Sequence, residues 1–285
     1  MSKKNIKSLK TIGGKVRILE PLIKIITHEL RTSGIAGFMD LFGGGNKFIP
    51  QLNQYLTPER VYNELDLGIA NLWECTKDYA AIMEVINLTC KIQGSINSQK
   101  TFNMANIKRR LPETSKLESA ALTIIVAEYS RAGDRKTFFS SNADNGITRK
   151  SLEKYLPLVP IMREVTVANK SYEYYFENYT DRSDMMVLLD PPYVDSDIYL
   201  DGFTRKDHEV MVGNIITNTK MKVLLCGTDN DIYDKHLTAE RGWYKYCLGD
   251  ISKHSSPKKG EKQTEYIWTD FSIPYYLLPK QHSYL

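Results

Sequence analysis

Ile35-Ala-Gly-Phe-Met-Asp-Leu-Phe42 runs straight into Gly43-Gly44-Gly45. A short apolar run ended by glycines has the form of a buried strand that delivers a ligand loop. Glycines at that place let a ligand approach the backbone closely. Outward from this stretch, further short apolar runs lie at Arg60 to Asp66, Glu164 to Ala168, Met185 to Leu189, Lys222 to Cys226 and Glu265 to Trp268. Stretches of helical periodicity separate most of them, Lys206 to Thr219 among them. Strands alternating with helices predict an α/β fold with a mostly parallel, doubly wound sheet. Ligands of such sheets bind at the carboxyl ends of the strands. Neither GxGxxG nor GxxxxGK[ST] is present, which argues against a nicotinamide-dinucleotide site and against a P-loop.

The second run ends Tyr62-Asn63-Glu64-Leu65-Asp66, and Glu64 follows Gly43 by 21 residues. An acid at about that distance, after the second strand, accepts hydrogen bonds from ribose hydroxyls. Asp66 suits a different task, the N-cap of a helix that starts at Leu67. A ribose without a bound pyrophosphate fits S-adenosylmethionine better than NAD.

Val187-Leu-Leu-Asp190-Pro191-Pro192-Tyr193 is the most specific segment in the chain. A buried strand runs into a carboxylate, two prolines and an aromatic ring. Each proline fixes φ and removes an N–H donor, and each pushes the residue before it into an extended geometry. The segment is therefore rigid and rich in acceptors. The Asp190 carboxylate and the Pro191 carbonyl can both take a hydrogen bond from one –NH2 group, and Tyr193 offers a face to a planar base. Methylating an exocyclic amine needs that arrangement, because the nitrogen lone pair is delocalised into the ring. Two acceptors on its N–H bonds favour a pyramidal nitrogen, which helps the transition state more than the ground state. Such an amine is inaccessible inside a duplex, so the base has to be flipped out.

From about Leu72 to Gly146 the alternation breaks and the chain becomes polar and helix-like, which predicts an inserted subdomain. It holds Lys108-Arg109-Arg110 and then Ser130-Arg-Ala-Gly-Asp-Arg-Lys136, the second with hairpin or loop character. Lys253 to Lys262 is polar, contains Pro257 and Gly260, and reads as a mobile loop. Across 285 residues the net charge is +4, and 42% of residues are hydrophobic, an ordinary globular balance that admits a polyanionic partner. Cys75, Cys90, Cys226 and Cys247 form no CxxC, and the five histidines show no metal spacing, with surface or capping roles expected for His208 and His254. Reduced thiols, the lack of a signal peptide and the lack of a membrane-length apolar run suggest a cytoplasmic protein that holds no metal. Tyr172, Tyr174, Tyr175, Phe176 and Tyr179 read as core packing rather than a stacking platform.

In this order the motifs resemble the Dam-like family of DNA adenine-N6 methyltransferases, with the cofactor motif first and DPPY late. Thr11-Ile-Gly13-Gly14-Lys15 resembles the family's WAGGK motif, with threonine for tryptophan. Phe38-Met-Asp40-Leu-Phe42-Gly43-Gly44-Gly45 resembles its V-E-P-F-x-G-G-G loop, and Asn63-Glu64-Leu65-Asp66 its N-D-x-N ribose motif. Asn169-Lys170-Ser171-Tyr172 stands where the family has an Asp-Phe pair near the cofactor adenine, and Phe203 with Asp207-His208 looks like its F-x-x-x-D-H segment.

The resemblance implies a Rossmann-like methyltransferase domain over residues 1–74 and 147–285, and a mainly helical target-recognition subdomain over 75–146. It implies a cofactor set of Thr11, Gly13, Gly14, Lys15, Asp40, Phe42, Gly43, Gly44, Gly45, Glu64, Tyr172 and Asp190. Catalysis falls to Asp190, Pro191, Pro192 and Tyr193. Lys108, Arg109, Arg110, Arg131, Arg135 and Lys136 become candidates for contacts to double-stranded DNA. Arg131 and Arg135 are favoured because their hairpin position resembles the family's DNA-reading hairpin. Methylation of cytosine N4 or of an RNA amine stays open beside adenine, as does a silent DNA-binding module of the same fold. The sequence leaves open whether a cognate restriction endonuclease or a phage system accompanies it.

Overall fold

The computed structural model describes residues 8–11, 18–52, 58–195, 202–217, 219–252 and 262–279. Its strands are β1 (Gly37–Asp40), β2 (Glu59–Asn63), β3 (Thr166–Ala168), β4 (Met185–Leu189), β5 (Lys222–Thr228), β6 (Tyr244–Ser252) and β7 (Lys262–Thr269). The α-helices among the described residues are α1 (Leu19–Thr32), α2 (Ile49–Leu52), α3 (Leu67–Cys75), α4 (Tyr79–Ile92), α5 (Gln99–Lys108), α6 (Lys116–Tyr129), α7 (Ser140–Asn145), α8 (Arg149–Leu152), α9 (Val159–Met162), α10 (Glu173–Asn178), α11 (Arg205–Thr217) and α12 (Asp231–His236).

The strands make one seven-stranded sheet in the order β3-β2-β1-β4-β5-β7-β6. β1, β4 and β5 run parallel, and β7 is antiparallel to both β5 and β6. The mixed, mostly parallel α/β sheet agrees with the expected class. β4 is Met-Met-Val-Leu-Leu, every residue buried, because an interior parallel strand is covered on both faces. Strand order reverses between β1 and β4, the topological switch point where doubly wound sheets bind ligands. The strand β6 was not anticipated. Its apolar signal is diluted by Lys245 and Asp250 and broken by a bulge between Cys247 and Gly249.

The chain divides into two compact units. One comprises Met1–Gly14, Gly43–Asn53 and Tyr62–Asn169. Its helices start where the sequence supplies caps. Asp66, Asp78, Ser98 and Ser115 accept backbone N–H groups at the starts of α3, α4, α5 and α6, and Ser98 with Thr101 forms a capping box. The segment read as polar has its own core. α6 is buried from Ser119 to Ala127 and packs against α3, α4 and α5. Nine residues in a row leave no amphipathic period to read, because the helix is surrounded.

The other unit comprises Lys15–Phe42, Gln54–Val61 and Lys170–Leu285. β1, β4 and β5 form its centre, and α1 buries Leu22, Ile25, Ile26 and Leu30. Tyr172, Tyr175 and Phe176 are buried, in keeping with core packing, whereas Tyr174 is exposed. Among the described residues no helix is long and apolar enough to cross a membrane, and no three His, Cys, Asp or Glu side chains are grouped to hold a metal.

Candidate active site

The site residues fall into a group in each unit. In the unit that holds β1 and β4, Asp40 ends β1 and lies level with Leu188 of β4. Leu41 N–H donates to the Leu188 carbonyl at 3.2 Å. Asp190 therefore leaves β4 two residues beyond the Asp40 register, with both carboxyl ends at the switch point. Asp40 is buried, and Asp190, Pro192 and Tyr193 are half-buried around a buried Pro191. Phe42, Tyr172 and Phe203 form a three-ring cluster with centroids 5.7–5.8 Å apart, Phe42 stacking on Tyr172. Burial, with the charge and hydrogen bond of Glu173 and the charge of Asp207, pushes the Tyr172 phenol up, so it stays neutral.

The chain beyond DPPY is anchored. Arg205 bonds Asp195 at 2.8 Å and both oxygens of Asp231 at 2.6 and 2.7 Å. Asp195 sits at φ +61°, so this turn holds a non-glycine residue in the left-handed region. Asp207 accepts from the Thr204 N–H and hydroxyl, both at 2.7 Å, at the start of α11. His208 is fully buried, with Nδ1 2.7 Å from the Tyr233 hydroxyl, not at the surface or at a cap as the sequence suggested. Burial lowers its pKa to about 4, more than the Asp207 and Asp195 charges and the Pro192 carbonyl raise it. The Tyr193 hydroxyl donates to Glu265 on β7. Tyr193 was named from the sequence, whereas Glu265 and Tyr233 were not. The signal for Glu265 was the period-2 face Glu265, Ile267, Thr269, all of it buried.

In the other unit, residues 43–46 form a turn with Gly44 at φ +47° and Asn46 at φ +53°. Gly43 N–H donates to the Asn63 carbonyl at 2.9 Å, while Tyr62 Oη and Trp73 Nε1 donate to the Gly44 carbonyl at 2.6 and 3.2 Å. A side chain at Gly45 would meet the Leu9 carbonyl at 2.7 Å and Thr11 Oγ1 at 2.9 Å, which brings Thr11 against the loop. The Glu64 carboxylate accepts Gly44 N–H at 2.7 Å and Asp66 N–H at 2.9 Å. Burial and the Asp66 charge raise its pKa, against the two N–H groups and the charge of Arg135. Asn169 Nδ2 holds the Glu64 and Leu65 carbonyls at 2.7 and 2.8 Å.

Asp66 caps α3 and also receives a two-bond fork from Arg109, a fully buried side chain. Arg109 therefore faces inward, away from any phosphate. The basic run Lys108–Arg110 mixes three environments. Lys108 is exposed and pairs with Glu118 at 2.6 Å, Arg109 is interior, and half-buried Arg110 reaches the Asn106 carbonyl at 3.4 Å. The expected hairpin is a short turn closed by one antiparallel bridge, Ser130 to Phe138. Asp134 Oδ1 accepts the Lys136 and Thr137 N–H groups within it. Arg131 and Lys136 are exposed at its rim, and Arg135 is half-buried at φ +57°. Gly13, Gly14, Lys15 and residues 253–261 lie outside the described residues.

No family model matches the chain. Over 86 residues it is 35% identical to the Type II methyltransferase M.CviBI of Paramecium bursaria Chlorella virus NC1A. The match takes in 28% of this chain and 32% of that protein. The similarity to a DNA methyltransferase is distant and partial, and the chain spans about a third of its relative's length.

Proposed function

We propose that the protein is an S-adenosylmethionine-dependent DNA methyltransferase that modifies adenine N6. The register of β1 against β4 carries the reading, since it sets the end of the glycine-loop strand beside Asp190 at the switch point. The partial similarity to M.CviBI supports the same reaction class and, through that protein's type, a restriction-modification or viral setting.

The residues present fit the cofactor. Glu64 lines the glycine loop as an acceptor for ribose hydroxyls, and the absence of a side chain at Gly45 lets the Leu9 carbonyl and Thr11 pack against that loop. The reading also assigns Asp40, Phe42, Tyr172, Thr11, Gly13, Gly14 and Lys15 to the cofactor, on the resemblance of their motifs. The cofactor supplies an electrophilic methyl group on a sulfonium. The protein's part is to hold the amine. Asp190 takes one N–H, the Pro191 carbonyl takes the other, and Pro192 keeps the turn rigid. Tyr193 stacks on the flipped base. This hydrogen bonding builds up electron density on nitrogen as the N–C bond would form and the methyl–sulfonium bond would break, and Asp190 is placed to take the one proton the amine then gives up. The helical segment 75–146, with Arg131 and Lys136 at the rim of its turn, serves as the target-recognition subdomain.

The experiment is transfer of a radiolabelled methyl group to duplex DNA, followed by nucleoside analysis. Label in N6-methyl-2′-deoxyadenosine, reduced at least 100-fold by Asp190→Ala, is expected. Label in N4-methylcytosine or in RNA would replace adenine by another amine. Equal incorporation by Asp190→Ala would remove Asp190 from the chemistry.

A further inference from the structure

We infer that Glu265 is a positioning residue for methyl transfer and sets the ring plane of Tyr193 from the far end. The inference rests on the methyltransferase reading of DPPY and adds a residue outside that motif.

Glu265 lies on β7, level with Thr228 of β5 and Gly249 of β6, and its side chain is fully buried. A buried carboxylate is expensive, and a strand position between two neighbours is more cheaply filled by a β-branched apolar residue. Its Oε1 accepts the Tyr193 hydroxyl, which satisfies that buried oxygen. Beside it, the register shift between Cys247 and Gly249 puts an extra β6 residue opposite this step of β7. Bulges of that kind re-aim side chains near active sites.

The DPPY turn fixes the Tyr193 backbone but leaves its two side-chain torsions open. Pro192 sets the near end of the ring, and only an anchor at the hydroxyl sets the far end. Tyr193 is half-buried, so the bond to Glu265 still leaves ring surface for a base. A stacking face held at both ends orders the base without ordering cost at the moment of reaction.

The test measures single-turnover methylation on duplexes carrying adenine, or fluorescent 2-aminopurine, at the target position. Glu265→Ala is expected to slow the chemical step roughly 10- to 100-fold, with cofactor Kd changed less than about twofold. Glu265→Gln keeps an acceptor oxygen and is expected to recover most of that loss. Tyr193→Phe removes the same bond from the other side, so it should match Glu265→Ala, and the double variant should be no slower than either. With the ring loosened, flipped 2-aminopurine is expected to be brighter in all three bond-breaking variants. If Glu265→Ala does not fold, Glu265→Gln and Tyr193→Phe still report on the bond. Wild-type rates and quenching in Tyr193→Phe would overturn the inference. Failure of the parent reading looks different: the wild-type protein would transfer no methyl group at all, and this inference would fall with it.

Discussion

Arg109 forks onto both oxygens of Asp66, and neither side chain reaches solvent. The pair ties the N-terminus of α3 to the end of α5, within the unit that carries the glycine loop. Removing one partner strands a buried charge. Arg109→Ala is expected to cost about 3–5 kcal/mol, read as a fall in urea midpoint at constant slope. The paired change Asp66→Asn with Arg109→Met keeps the cap and removes both charges, so it should regain much of that loss. Burial alone would raise the Asp66 carboxyl, but Arg109, helped by Arg135 and the Ile69 N–H, holds it at about 2. A lowered carboxyl contributes stability above its unfolded value near 4. Acid titration of wild type should therefore lose this stability as pH falls from about 4 toward 2, and the paired variant should not.

Glu64 runs the other way. Its raised pKa means that its carboxylate is protonated at a higher pH than an ordinary glutamate. Ribose hydroxyls donate to the charged form, so cofactor affinity is expected to decline as pH is lowered into the mildly acid range. Glu64→Gln should weaken cofactor binding by about 1.5–3 kcal/mol, roughly 10- to 100-fold, and abolish that pH dependence. Calorimetric titration across pH 5–8 checks both. An unchanged affinity in Glu64→Gln would take the ribose contact away from this residue.

His208 is buried in the neutral form, with a pKa of about 4 against 6.5 when exposed. The folded state binds fewer protons than the unfolded state between those values, so stability falls as pH drops through that window. The slope is at most about 1.4 kcal/mol per pH unit. Denaturant melts of His208→Gln should lack this limb. The native slope persisting in that variant would assign the effect to another group.

Arg131 and Lys136 stand at the exposed rim of the 130–138 turn, while Arg135 is half-buried and acts electrostatically on Glu64 and Asp66. Arg131→Ala and Lys136→Ala should each reduce the slope of log affinity against log salt by about 0.9 for duplex DNA. Arg135→Ala is expected to act on cofactor affinity as well, by removing the positive charge near Glu64. Salt-dependent DNA binding and cofactor titration on the three variants distinguish these effects. Identical salt slopes in wild type and the rim variants would place the DNA elsewhere.

The chemistry was legible where it depends on short, contiguous geometry. Val187 to Tyr193 states a strand end, a carboxylate and a rigid turn with no help from the rest of the chain. Phe38 to Gly45 does the same for the loop. Asp66 could be named as a cap because capping is local. Arg109 could not be separated from Lys108 and Arg110, since a run of three cations looks solvated until a buried carboxylate 43 residues earlier is brought to one of them. The same limit hid Glu265, whose partner is 72 residues away, and His208, whose ring meets Tyr233.

By itself, the sequence determined which strands are interior, where each carboxyl end carries a loop, and which tetrapeptide presents acceptors to an amine. Those follow from local propensity, apolar patterning and proline stereochemistry, all of which act over a few residues. Only the tertiary structure decided that β4 lies beside β1 at the switch point, that Arg109 turns inward to Asp66, and that Tyr193 ends on Glu265. Each depends on strand order and packing between segments far apart in the chain. Burial then selects which of several equivalent charges is kept from water, and it does so only once a partner is in reach.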